Sequence, residues 1–89
     1  MKTVHVLVSG IVQDVGFRYF TSKNAKNLGI GGWVQNTPDR KVEAVFQGEE
    51  ADVDKMVELC RKGPSSAHVK DVRITEETNN VVYDGFKTY

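Results

Sequence analysis

The chain has 89 residues, enough for one domain with one compact core; a domain of this size buries about 60–65% of the surface its unfolded chain exposes. Twelve basic residues balance twelve acidic ones, which excludes a general nucleic-acid binder resting on clustered lysine and arginine but leaves room for one local anion site. A single cysteine, Cys60, excludes an intrachain disulfide and a CxxC metal or redox pair; no apolar run approaches the ~20 residues of a membrane helix and Met1 to Val8 lacks the features of a signal peptide, so a soluble cytoplasmic protein is expected.

In chain order, Val4, Val6 and Val8 alternate with His5, Leu7 and Ser9. The run is β-branched and nearly all apolar, which predicts a central strand covered on both faces and closed by Gly10. Phe17, Thr21, Ala25 and Leu28 then recur at spacings of four, four and three, one stripe of a helix, with Gly29 as its left-handed stop. Gly31 to Asn36 reads as a second strand with Trp33 and Val34 on opposite faces. "TPDRK" is a turn, and Val42, Ala44 and Phe46 alternate through a third strand that makes a hairpin with the second.

Glu49, Glu50, Asp52 and Asp54 crowd the start of a second helix, where the positive end of the dipole favours acids. Val53, Met56, Val57 and Cys60 are its apolar stripe, and Lys62-Gly63-Pro64 ends it. Val69, Val72 and Ile74 mark a fourth strand, whose three-residue step from Val69 to Val72 predicts a bulge. Asn79-Asn80 is a loop, and "YDGFKTY" is a short edge strand anchored by Phe86. The order β-α-β-β-α-β plus a short C-terminal strand predicts an α+β, ferredoxin-like split βαβ fold, with both helices on one face of an antiparallel or mixed sheet.

The functional interest lies in "SGIVQDVGFR", Ser9 to Arg18. A strand that turns straight into a helix leaves several backbone N–H groups pointing into one concavity, an anion site with the helix dipole behind it. Arg18 stands at the positive end of that dipole, a mismatch of a few tenths to ~1 kcal/mol. A bound phosphate would offset it, because a guanidinium forks onto phosphate oxygens; a solvated arginine after an ordinary turn is the plain alternative. Asn36 ends the second strand. It reads either as a turn-starting residue or as a carboxamide that holds a water by its oxygen and its NH2.

"GIVQDVGFR" followed by "LGIGGWVQNTPDRKVE", with "GPSSAHV" and an aromatic C-terminal strand further on, resembles the acylphosphatase family. That family carries G-x-V-Q-G-V-x-F-R and, later, G-[WY]-V-x-N-x-x-D-G-x-V-E. The resemblance spans almost the whole chain and implies a single acylphosphatase-like domain over residues 1–89. It implies a hydrolase that splits the carboxyl-phosphate bond of acyl phosphates into a carboxylate and inorganic phosphate, without metal, cofactor or covalent intermediate. By the same resemblance Arg18 binds the phosphoryl group and Asn36 orients the attacking water. The backbone N–H groups of Gln13, Asp14, Val15, Gly16, Phe17 and Arg18 form the phosphate cradle. Its partners are then a small acyl phosphate and the phosphate product, with no nucleic acid and no membrane, and the expected state is a monomer.

Two glycines of the family pattern are replaced here. Asp14 stands after Val12-Gln13, where its residue type tolerates left-handed dihedrals but its charge, if aimed into the cradle, repels phosphate by roughly 3 kcal/mol at ~6 Å and an effective dielectric near 20. Arg40 follows Asp39; a left-handed non-glycine there costs about 1 kcal/mol. Asp14 keeps open a second reading, a catalytically weak phosphate- or partner-binding module on the same fold. An RNA-binding module of the same element order ranks last, because the third strand carries one aromatic, Phe46, and the first carries none. His5 and His68 lack ligand spacing, Cys60 is expected in the core, Trp33 and Phe17 are expected to pack, and the acids at 49–54 lack calcium-loop spacing.

Overall fold

A computed structural model describes residues 1–89. Seven elements follow the expected order: β1 (Lys2–Ile11), α1 (Phe17–Asn27), β2 (Gly31–Asn36), β3 (Val42–Gly48), α2 (Glu50–Lys62), β4 (His68–Glu76) and β5 (Phe86–Thr88). The strands form one sheet in the order β4-β1-β3-β2-β5. β1 is antiparallel to β3 and β4, β2 is antiparallel to β3, and β5 runs parallel to β2. β3 lies between β1 and β2, the two strands joined by α1, which is the split βαβ arrangement of a ferredoxin-like α+β fold.

Alternation decides the core. Val4, Val6 and Val8 of β1, Val34 of β2 and Val42, Ala44 and Phe46 of β3 face the helices. There they meet Phe17 and Ala25 of α1 and Val53, Met56, Val57 and Cys60 of α2 in one buried cluster. Each valine, phenylalanine or methionine among them contributes about 1.5–3 kcal/mol by leaving water. α2 starts on Glu50 and Asp52 and ends on Arg61 and Lys62, charges that complement its dipole.

Two expectations for β1 are corrected. It is a central strand, but it is not covered on both faces: both helices lie on one side, and His5 and Leu7 on the other are only half-buried. Nor does Gly10 close it. The strand runs on to Ile11, and Gly10 marks a register shift: Ser9 pairs with Asp71 whereas Gly10 pairs with Val69. Lys70 is the extra residue of a bulge in β4, as the three-residue step predicts, and Val69 and Val72 both pack on the core. At Gly10, with φ +127°, an added Cβ would lie 2.2 Å from the His68 carbonyl oxygen. Close backbone approach, not strand termination, is what requires glycine there.

Because β1, β2 and β5 run in one direction, their C-terminal ends meet at one edge of the sheet. Ile11, Asn36 and Thr88 end these strands, so the loop after β1 and the turn after β2 are neighbours. The link from β4 to β5 crosses the opposite end. Buried Gln47 pins it, donating to Thr3 Oγ1 (3.0 Å) and the Val81 carbonyl (2.6 Å) and accepting from the Tyr83 N–H (2.9 Å).

Candidate active site

The loop between β1 and α1 is held at both ends by buried side chains, Val12 and Phe17. Between them Asp14 (φ 64°) and Gly16 (φ 78°) are both left-handed, which turns the chain from strand into helix within five residues. Gly16 caps α1, no side chain caps its first turn, and no acid stands there. No backbone or side-chain acceptor takes the N–H of Gln13, Asp14, Val15 or Gly16. These groups and the free N–H groups of the first helical turn are a donor set suited to an anion.

The Gln13 side chain points elsewhere. Its Nε2 donates to the carbonyls of Thr37 and Lys41, both at 2.9 Å. Those two residues close the β2–β3 turn: the Thr37 N–H donates to the Lys41 carbonyl, and the Lys41 N–H donates back to Thr37 Oγ1, each at 2.9 Å. Arg40, the turn's replaced glycine, is left-handed at φ 69°. The Asp39 carboxyl is held below its usual range, first by the Thr37 hydroxyl and then by Lys41. One amide thus ties the loop after β1 to the turn that follows Asn36.

Arg18 is half-buried, and its Nη1 donates to the main-chain oxygen of Tyr89 at 2.8 Å. Tyr89 is in turn held by its N–H on the Val34 carbonyl at 2.9 Å. Asn36 sits at the end of β2 opposite Val42. Its Oδ1 is buried without a hydrogen-bond partner. An orphaned buried acceptor costs about 1–3 kcal/mol, so the position suits a donor brought in from the cleft.

Asp14, Gly16, Phe17, Arg18 and Asn36 all line one cleft of about 360 Å³, together with Val12, Tyr19, Ser22 and Thr88. Of the residues singled out from the sequence, Gln13 and Val15 do not line it. Gln13 holds the turn, and Val15 packs on the core. Sequence reasoning missed Tyr19, Ser22 and Thr88. Ser22 lies four residues beyond Arg18 on α1, a spacing that puts it on the same helix face; nothing in the sequence connects Thr88 to the loop.

Other reactive groups lie outside the cleft. Cys60 is buried, and that burial pushes its thiol up to about 12; it packs in the core, as expected. His5 contacts Glu43 (Nε2 to Oε2, 2.6 Å) and the edge of Trp33 on the helix-free face. No group of three or more His, Cys, Asp or Glu side chains gathers to hold a metal ion, and no helix is long and apolar enough to cross a membrane.

Comparison with known proteins gives this arrangement a context. The family model described as Acylphosphatase matches residues 4–88. The chain is 54% identical over 76 residues to an acylphosphatase of Methanocella arvoryzae, a match covering 85% of this chain and 86% of that protein. It is 45% identical over 87 residues to an acylphosphatase of Syntrophus aciditrophicus, covering 98% and 91%. Among solved structures it resembles the acylphosphatase from Bacillus subtilis with a TM-score of 0.96 at 32% identity, covering 100% of this chain and 99% of that one.

Proposed function

The chain belongs to the acylphosphatase family and is a hydrolase of acyl phosphates, and from that premise we propose that Arg18, Asn36 and the backbone N–H groups of Gln13 to Arg18 carry the reaction. The observation that carries this reading is one of placement. The Arg18 guanidinium and the partnerless Oδ1 of Asn36 line the same cleft as a loop whose N–H groups have no other acceptor. The N–H groups and Arg18 hold the three phosphoryl oxygens, which bear the charge of a loose phosphoryl-transfer transition state. Asn36 accepts a hydrogen bond from a water through Oδ1 and fixes it for attack on phosphorus. The water oxygen bonds to phosphorus as the bond from phosphorus to the acyl carboxylate breaks. The carboxylate departs, and the water's proton passes to a phosphoryl oxygen.

A carboxylate is already a good leaving group, so positioning and charge stabilisation suffice and no side-chain base is assigned. The reaction so proposed needs no metal. The proposal extends to a cytoplasmic monomer that needs neither nucleic acid nor membrane; the balanced charge of 12 basic and 12 acidic residues supports the first of those exclusions. The non-catalytic binding module is not favoured: the family model spans residues 4–88, and the similar proteins of Methanocella arvoryzae and Syntrophus aciditrophicus are acylphosphatases.

The test is hydrolysis of benzoyl phosphate with EDTA present, beside inorganic phosphate binding measured as competitive inhibition and by calorimetry. Arg18→Ala is expected to abolish turnover and phosphate binding together. Asn36→Ala is expected to lower turnover with phosphate binding nearly intact. Near-normal turnover in both variants would overturn the assignment.

A further inference from the structure

We propose that Asp14 acts as a charge filter at the cleft mouth, selecting acyl phosphates whose acyl group is neutral or cationic over those carrying a second anion. The inference rests on the reading that this cleft binds acyl phosphates. It starts from a count of charge. Arg18 is the single cation lining the cleft and Asp14 the single carboxylate. The phosphoryl group of a substrate takes Arg18 and the N–H donors. A second anion on the acyl part then finds no cation left and one carboxylate already present.

The division of the cleft into floor and mouth gives the acyl group its surroundings. Val12, Phe17 and Ser22 are buried, and Arg18 and Asn36 are half-buried. Asp14, Tyr19 and Thr88 are exposed, Tyr19 at 71%. An acyl group leaving the cradle therefore meets an aromatic ring, a hydroxyl and a carboxylate. The ring offers a stacking surface to an apolar or aromatic acyl group, and the carboxylate adds the repulsive element on which discrimination depends. Asp14 makes no ion pair and no hydrogen bond through its side chain, so its charge is not neutralised within the protein. Its left-handed backbone, φ 64°, is a conformation that Asp and Asn share more readily than other side chains, so the charge can be removed without reshaping the loop.

The experiment compares kcat/KM for benzoyl phosphate and for para-carboxybenzoyl phosphate, a pair differing by one remote carboxylate, in the intact chain and in Asp14→Asn. The intact chain is expected to prefer the neutral substrate. In Asp14→Asn that preference falls about sixfold at low salt, the factor for two unit charges roughly 8 Å apart at an effective dielectric of about 40. Because Asp14 is exposed, raising the ionic strength to about 1 M shrinks the preference of the intact chain as well, a readout that needs no variant. Turnover of both substrates with a ratio that neither the substitution nor salt alters would overturn the inference. Failure of the intact chain to turn over either substrate would sink the functional reading itself, and the filter with it.

Discussion

Gln13 spends both hydrogens of one amide on two carbonyls of a turn 24 and 28 positions away. No other side chain links the loop after β1 to the turn after Asn36 by hydrogen bonds. Removing it takes one donor from each of these carbonyls, which keep the Arg40 and Thr37 N–H groups as partners, and frees the loop after β1 from the strand end that carries Asn36. Gln13→Ala is expected to lower unfolding free energy by about 1–3 kcal/mol and to reduce turnover of benzoyl phosphate, both measured on one preparation by urea titration and steady-state kinetics. Gln13→Glu should not rescue it, because a carboxylate has the same reach but no hydrogen to donate to either carbonyl. Full activity in the glutamate variant would mean that the clamp holds nothing the reaction uses. Arg18 poses the complementary problem. At the start of α1 it is a mismatch against the helix dipole, and the main-chain oxygen of Tyr89 at 2.8 Å supplies a negative partner before any substrate arrives.

At the scale of elements, the helix-free face of the sheet carries a polar ladder across three strands. Glu43 of β3 meets His5 of β1 at 2.6 Å through Oε2, and its Oε1 accepts from Gln35 Nε2 of β2 at 2.8 Å. The His5 bond, then the Gln35 bond, hold the Glu43 carboxyl below its ordinary value of 4.5, against the opposing effect of burial. A folded-state value below the unfolded one means that the ionised form is favoured in the fold. The resulting stability is therefore present above pH 4.5 and is lost as pH falls through the folded value. The pair is partly exposed, so the contribution is under about 1 kcal/mol. Glu43→Gln is expected to flatten the loss of stability on acidification below that pH, read as the urea midpoint against pH. An unchanged acid slope would show that the ladder contributes no linkage. The same face explains why β1 reads from its sequence as covered on both sides. Leu7 is apolar, yet it is only half-buried, flanked across the sheet by two charged residues, Glu43 of β3 and Arg73 of β4.

For the molecule as a whole, the site depends on the last strand to join the sheet. β5 has three residues, of which Phe86 alone is buried; it stacks on Phe46 at 6.0 Å. The residue that follows β5 carries the main-chain oxygen that holds Arg18. Phe86→Ala is expected to cost about 3–5 kcal/mol, a large share of the 5–15 kcal/mol typical of a whole domain. At a temperature well below its thermal midpoint the folded fraction should still turn over more slowly, because Arg18 loses its partner. Turnover per folded molecule equal to that of the intact chain would uncouple the strand from the site. The crossover that delivers β5 is pinned at the far end of the sheet by Gln47, so the site is held from both ends of the strand.

What the sequence determined by itself was local, because it follows from period and backbone preference. The valine alternation, the two helix stripes, the bulge at Val69–Val72 and the buried Cys60 could all be read within a few residues of where they act, and the glycines of the family pattern marked Asp14 and Arg40 as left-handed positions. The loop after β1 was legible as a strand-to-helix turn and Asn36 as a strand end, and the family signature joined them. Tertiary structure alone decided what depends on distant segments meeting. Gln13 reaches the β2–β3 turn, Thr88 lines the cleft, Glu43 sits between His5 and Gln35, and the main-chain oxygen of Tyr89 holds Arg18 from 71 positions away. Alternation tells which residues share a face of a strand. Only the packing of the other elements settles which face is covered and which backbone comes within hydrogen-bond reach.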